Sequence, residues 1–170
     1  LQALPQGPER YAFFFDHLEE KGLRGRDADD EFFTVSYRTL RELKPHLPRE
    51  RIVERLKLSD LPEQRRGLYA VLLGICGTAD DVPWFEAELQ RADPKKWWQA
   101  IPLLVGYLSL KGESGLPFVV DSYLNSEQYG PKSVAALMAL RFVAAETEAI
   151  PRAHLATVFK AMRDRKEWLG

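Results

Sequence analysis

The chain has 170 residues, 45% of them hydrophobic and 29% charged, with a formal net charge of −1. A chain of this length buries roughly 70% of the surface its unfolded form exposes, so its core needs no disulfide or metal staple. The balanced charge argues against nucleic-acid binding, which draws on a basic excess or stripe; the single cysteine, Cys76, excludes an intrachain disulfide and a thiolate zinc site.

In chain order, Tyr11, Phe14, Phe15 and Leu18 predict an amphipathic helix over residues 9–20, followed by a Gly/Arg-rich loop at 22–26. The acidic run 27–31 lacks the alternating ligands and the glycine of a calcium loop. Carboxylates in the first turn of a helix starting near Asp29 account for it, since they cap free amides and favour the macrodipole. Asp80 and Asp81 read the same way before the helix that follows them.

From there the chain is punctuated by four dipeptides of one kind: Leu47-Pro48, Val82-Pro83, Leu116-Pro117 and Ile150-Pro151, spaced 35, 34 and 34 residues apart. Proline suits the first helical position, where its missing N–H would have had no partner. The residue before it is biased away from the α region, so each dipeptide is predicted to end one helix and open another.

Upstream of each proline lies an apolar helical pattern, beginning at 32–38, 67–73, 101–107 and 135–141. Leu68, Leu72 and Ile75 share one face, with Tyr69, Leu73 and Cys76 beside them. Ile101, Leu104, Val105 and Leu108 form the next stripe, flanked by Leu103, Tyr107 and Leu110. Val134, Leu137, Met138 and Phe142 form the last. Helices apolar on most sides need cover from several neighbours. Downstream of each proline the pattern is amphipathic, carried by Ile52, Val53 and Leu56, by Phe85 and Leu89, by Val119, Val120 and Tyr123, and by Leu155, Val158 and Phe159.

These patterns predict an all-α chain: one right-handed α-solenoid over residues 1–170, built from stacked two-helix repeats with a period of about 34. An N-terminal helix and loop (9–26) would precede repeats at about 27–60, 61–93, 94–128 and 129–165. The units resemble HEAT repeats more than tetratricopeptide repeats, whose Leu-Gly pair and Tyr at fixed offsets do not recur. Three stretches are also similar to an uncharacterised group of bacterial, often exported, HEAT-like proteins: Arg66-Gly67-Leu68-Tyr69 with Leu72 to Gly77, Gly106-Tyr107-Leu108 with Gly112-Glu113, and Ala139 to Phe142. That resemblance implies no activity, and it tilts the expected location toward the periplasm or exterior over the cytoplasm.

Little points to chemistry. His17, His46 and His154 fall in different units without a second ligand at helical spacing, and no metalloprotease, nucleophile-elbow, phosphate-loop or dinucleotide motif occurs. No catalytic residue, cofactor or metal site is therefore expected. Gly67 and Gly74 lie mid-helix, where they suit close helix packing. Trp97 and Trp98 point about 100° apart, so one is expected inside and one at a boundary where a ligand could meet it. Arg141, between Leu140 and Phe142, is expected to be a buried charge paired with Glu146, Asp121 or loop carbonyls, and Arg66 a weaker case of the same.

The expected role is a non-catalytic scaffold that holds a protein or peptide on a concave face lined by the second helices. Its candidate contacts are Arg51, Arg55, Glu88, Arg91, Ser122, Asn125 and Arg163, with Trp97 and Trp98. The alternative is a nucleic-acid-binding or DNA-glycosylase-like HEAT protein using the tryptophan pair and the basic stretch 152–166.

Overall fold

The computed structural model describes residues 15–16, 41–42, 44–124, 130–146, 150, 153 and 155–156, and every regular element among them is helical. Six helices follow in order: α1 (Arg49–Leu56), α2 (Glu63–Cys76), α3 (Val82–Arg91), α4 (Ala100–Lys111), α5 (Leu116–Val119, prolonged by a π turn Val120–Leu124) and α6 (Pro131–Glu146). Ala153, Leu155 and Ala156 are helical after Pro151. The pattern at 32–38, the acidic run 27–31, most of the 9–20 helix, Val158 and Phe159 lie outside the described residues.

The proline periodicity does mark helix starts, but in two registers. Pro48 caps α1 from outside, whereas Pro83 and Pro117 are the second residues of α3 and α5. Val82 (φ −57°, ψ −47°) and Leu116 (φ −58°, ψ −43°) are therefore helical, contrary to the expectation for a residue before proline. In the first turn a proline has no intrahelical bond to lose and meets no carbonyl of a preceding turn. The chain changes direction earlier, in 3-10 turns at Ala79–Asp81 and Gly112–Gly115 that run straight into the helices. Gly112 there has φ 59°, in the left-handed half of conformational space where glycine carries no Cβ penalty. The register shift also moves the core positions. Phe85 and Leu89 are buried two and six residues after Pro83, as are Val119 and Tyr123 after Pro117; on α1, Ile52 and Leu56 are buried four and eight after Pro48.

The principal contacts run α2 on α4 and α4 on α6, with α1 against α2, α3 against α4, and 120–124 against α6. Among the described residues, α1, α3 and the turn 120–124 thus lie more closely on the helix that follows than on the one before. The close pairs α1–α2 and α3–α4 are one helix out of step with the hairpins expected from sequence.

The α2–α4 contact is backbone-close. A Cβ on Gly74 would fall 2.4 Å from the Gly106 Cα, and one on Gly106 would fall 2.4 Å from the Ala70 carbonyl oxygen. Glycines there let the axes approach to a distance that any side chain would prevent. Gly67 meets only the ring of Pro102. Around this contact Leu104, Leu108, Leu72, Leu73, Phe85 and Leu140 are fully buried, each contributing about 1.5–3 kcal/mol.

On α6 the buried face is Ala135, Ala136, Ala139, Leu140 and Val143. The expected stripe is corrected: Val134 and Met138 are exposed, and Leu137 and Phe142 are half-buried. Small alanines let α6 sit close to α4, and the bulkier side chains point elsewhere. Arg141 is exposed as well, so it is no buried charge; it shares the outer side with Met138, a turn away.

Candidate interaction surface

Of the charged residues singled out on the helices after the prolines, Arg51 turns inward along the chain. Its Nη1 donates to Asp16 Oδ1 at 2.9 Å, and its guanidinium lies 4.9 Å from the centre of the Phe15 ring. It thereby ties residues 15–16 to α1. Phe15 is itself buried and packs on Tyr69, with ring centres 6.2 Å apart. Arg55 is half-buried on the same helix.

Glu88 and Arg91 come together on α3, with Arg91 Nη1 3.4 Å from Glu88 Oε1 one turn back. Arg66 approaches the other carboxylate oxygen at 3.8 Å. Its guanidinium also donates to the Leu56 carbonyl at 3.1 Å and the Leu58 carbonyl at 2.9 Å, satisfying the last turn of α1. Arg66 therefore fills the role expected of Arg141: a cation on an apolar helix that serves loop carbonyls. Ser122 is half-buried in the π turn, and Asn125 and Arg163 lie outside the described residues.

Trp97 and Trp98 stand edge to face, ring centres 6.2 Å apart at 78°, in the 3-10 segment Pro94–Gln99. Asp93 caps this segment by accepting from the Lys95 amide. Trp97 packs half-buried on the core, and Trp98 is 53% exposed. Lys96 and Gln99 both reach Glu63 at the start of α2. The segment packs against α6.

Two polar anchors were not foreseen. Arg49 binds Asp81 through two parallel bonds, Nε to Oδ2 at 2.9 Å and Nη2 to Oδ1 at 2.7 Å, a planar fork-to-carboxylate fit. The same carboxylate accepts the Thr78 amide at 2.8 Å in a capping box, so Asp81 serves the turn before α3 and a neighbouring helix start, not the α3 amides. Its bond to Asp81 raises the Arg49 pKa further. The second anchor is Tyr123, whose hydroxyl donates to the Leu89 carbonyl at 2.7 Å. Ala92 leaves the helical conformation and Pro94 follows, so this bond supplies a donor at the end of α3. Burial pushes the Tyr123 phenol up to about 12, and burial with the bond to Glu86 at 3.1 Å raises that of Tyr107 as well. The faint signal for Tyr123 was its position: it follows Pro117 by the interval at which Leu89 follows Pro83.

A depression of about 320 Å3 lies beside the two 3-10 turns, lined by Ala79, Val82, Pro83, Leu110, Lys111 and Ser114. Its lining contains no acid–base or nucleophile–base pair; the Ser114 hydroxyl bonds the Lys111 carbonyl at 2.8 Å. Cys76 is half-buried, and burial pushes its thiol up to about 11. Among the described residues, no three His, Cys, Asp or Glu side chains gather as metal ligands, and no helix is long and apolar enough to cross a membrane. His46 is exposed, and His17 and His154 lie outside the described residues. The chain belongs to the all-helical class of proteins. It matches no family model, no curated protein and no solved structure.

Proposed function

We propose that this chain is an α-solenoid of HEAT-like helix pairs that works without catalysis, holding a protein or peptide on the surface of the helices that follow the prolines. The observation that carries the reading is the succession α2–α4–α6. Helices separated by one sequence period lie side by side in chain order, with α4 between the other two. Such a succession supports the solenoid reading, and the extended face of a solenoid suits a chain-like partner better than a small molecule.

The polar edge supports a protein or peptide partner over nucleic acid. Glu88 stands between Arg66 and Arg91, and Glu63 beside Lys96, so cations alternate with carboxylates where a phosphate backbone would call for a single sign. Arg91 extends into solvent from this cluster, and Trp98 offers an exposed aromatic surface nearby in sequence.

A displayed random-peptide library tests the proposal. The wild-type chain is expected to enrich a recurring sequence, and the charge-swapped variant Glu88→Lys/Arg91→Glu is expected to lose it while keeping its helical circular dichroism. A library that yields no recurring sequence, or one bound equally by both proteins, would refute the reading.

A further inference from the structure

The Arg49–Asp81 fork joins the start of α1 to the turn before α3, and the sequence period shows that the next joint lacks it. Trp84 follows Pro83 as Arg49 follows Pro48, and Gly115 precedes Pro117 by the interval at which Asp81 precedes Pro83. Trp84 packs on the core and stands edge to face with Phe85, ring centres 4.9 Å apart; Gly115 has no side chain to offer. Neither the cation nor the carboxylate of the first joint is therefore repeated in the second. The depression of about 320 Å3 lies there. Ala79, Val82 and Pro83 line it from the start of α3, and Leu110, Lys111 and Ser114 from the turn that leads to α5. By sequence period it is the counterpart of a joint that the chain closes with its own ion pair.

Four of the lining residues, Ala79, Val82, Pro83 and Leu110, are apolar. Ser114 spends its hydroxyl proton on the Lys111 carbonyl at 2.8 Å. That leaves the Lys111 ammonium as the one charge in the lining and its one side-chain donor not already engaged. Lys111 is half-buried, and among the described residues no carboxylate pairs with it. A cation partly stripped of water beside apolar walls favours an anion brought to it in exchange. We propose that this depression anchors an extended peptide through an aliphatic side chain and an adjacent carboxylate. The aliphatic group lies against Val82, Pro83 and Leu110, and the carboxylate on Lys111, as Asp81 lies on Arg49 one period earlier. The volume stands at the lower end of the roughly 300–1,000 Å3 of ligand pockets, room for a pair of side chains and not for a folded surface. Asp80 and Glu113, exposed in the two flanking turns without lining the depression, disfavour a doubly charged phosphate more than a single carboxylate. The proposal rests on the peptide reading above and adds to it a motif class and a second anchor, at the opposite end of α3 from Glu88 and Arg91.

Titration of the isotopically labelled full chain with N-acetyl-Leu-Asp-amide, followed by amide shifts in NMR, is the test. Saturable shifts are expected at Ala79, Val82, Leu110, Lys111 and Ser114. N-acetyl-Leu-Asn-amide, the same shape without the charge, is expected to bind at least about tenfold more weakly. Lys111→Gln should lose the preference for the aspartyl probe, and Lys111→Glu should transfer it to N-acetyl-Leu-Lys-amide; unchanged spectra elsewhere show that the fold survives. The comparison of the two probes on the wild-type chain needs no variant. No saturable shift, shifts confined to other parts of the chain, or equal binding of the two probes would overturn the proposal, as would a Lys111→Gln variant that keeps the preference. The displayed-library result is independent. It reads the Glu88–Arg91 edge, and a recurring sequence lost on that charge swap would leave the peptide reading standing even where this anchor fails.

Discussion

Replacing Gly74 by alanine tests the α2–α4 contact directly. The added Cβ would lie 2.3 Å from the Gly106 carbonyl oxygen, 2.4 Å from its Cα and 2.7 Å from its carbonyl carbon. All three are backbone atoms of a packed helix, so no side chain can swing aside. Restoring ordinary contact distances needs the two axes to separate by about 1 Å, which loosens the neighbouring Leu72, Leu73 and Leu104. Overpacking of this kind costs about 1–3 kcal/mol, and occasionally more. The better helix propensity of alanine returns up to about 1 kcal/mol. With the clash against backbone the upper end of that cost applies, and the net expectation is a loss of about 2 kcal/mol in urea unfolding followed by circular dichroism. Gly67→Ala is the internal control, because its Cβ would meet only the Pro102 ring, 2.9 Å from Cγ, and the ring can pucker away. It should be near neutral or stabilising. If Gly74→Ala matches or exceeds wild-type stability, α2 and α4 are not in backbone contact and the reasoning fails.

Tyr123→Phe should lose about 1 kcal/mol at neutral pH, the worth of the hydrogen bond to Leu89. The folded phenol titrates at about 12 and the unfolded one near 10, so this group's stabilisation is complete below pH 10 and declines between pH 10 and 12. Alkaline melts of the phenylalanine variant should show a shallower decline over that window; an identical slope would reject the assignment. Asp81→Ala strips acceptors from the Thr78 amide and the Arg49 fork together, and should cost about 2 kcal/mol by urea unfolding. A thiol at about 11 holds on the order of 100-fold less thiolate at neutral pH than an ordinary cysteine. Cys76 should react correspondingly slowly with Ellman's reagent until urea unfolds the chain, and fast labelling of the native protein would contradict its burial.

The sequence was most informative where physics is local. Proline near a helix start is a constraint of one residue on its own turn, so Pro83 and Pro117 could be placed without knowing what surrounds them. Leu68, Leu72, Leu104 and Leu108 were legible because α2 and α4 are apolar on nearly every side and both are covered on several. The same property hid the face of α6. With alanine at 135, 136 and 139, hydropathy cannot distinguish the side pressed on α4 from the outer side, and the larger Val134 and Met138 attract the eye to the wrong stripe. Arg141 and Arg66 illustrate this further. Arg141 interrupts an apolar run and Arg66 stands just before one, but only Arg66 begins a turn of α2 that passes the unsatisfied carbonyls at the end of α1. Which helix lies on which was equally hidden, since α3 leaning on α4 depends on Phe85 finding the gap over Gly106, a fit between residues distant in sequence. Of the candidate surface, the Glu88–Arg91 pair and the split roles of Trp97 and Trp98 follow from helical spacing. The inward turn of Arg51 onto Phe15 and Asp16 does not.

Because α4 touches α2, α3 and α6 at once, it serves the domain as a keel. Peeling away the α6 end exposes one flank of it, and losing the α1–α2 end exposes another, yet neither event bares it fully. Amide protons near Leu104 and Leu108 can therefore exchange only when the whole assembly opens, whereas those toward either end escape through smaller, cheaper excursions. A partner that grips the outer helices would draw its binding response from these pliable margins while the middle stays fixed.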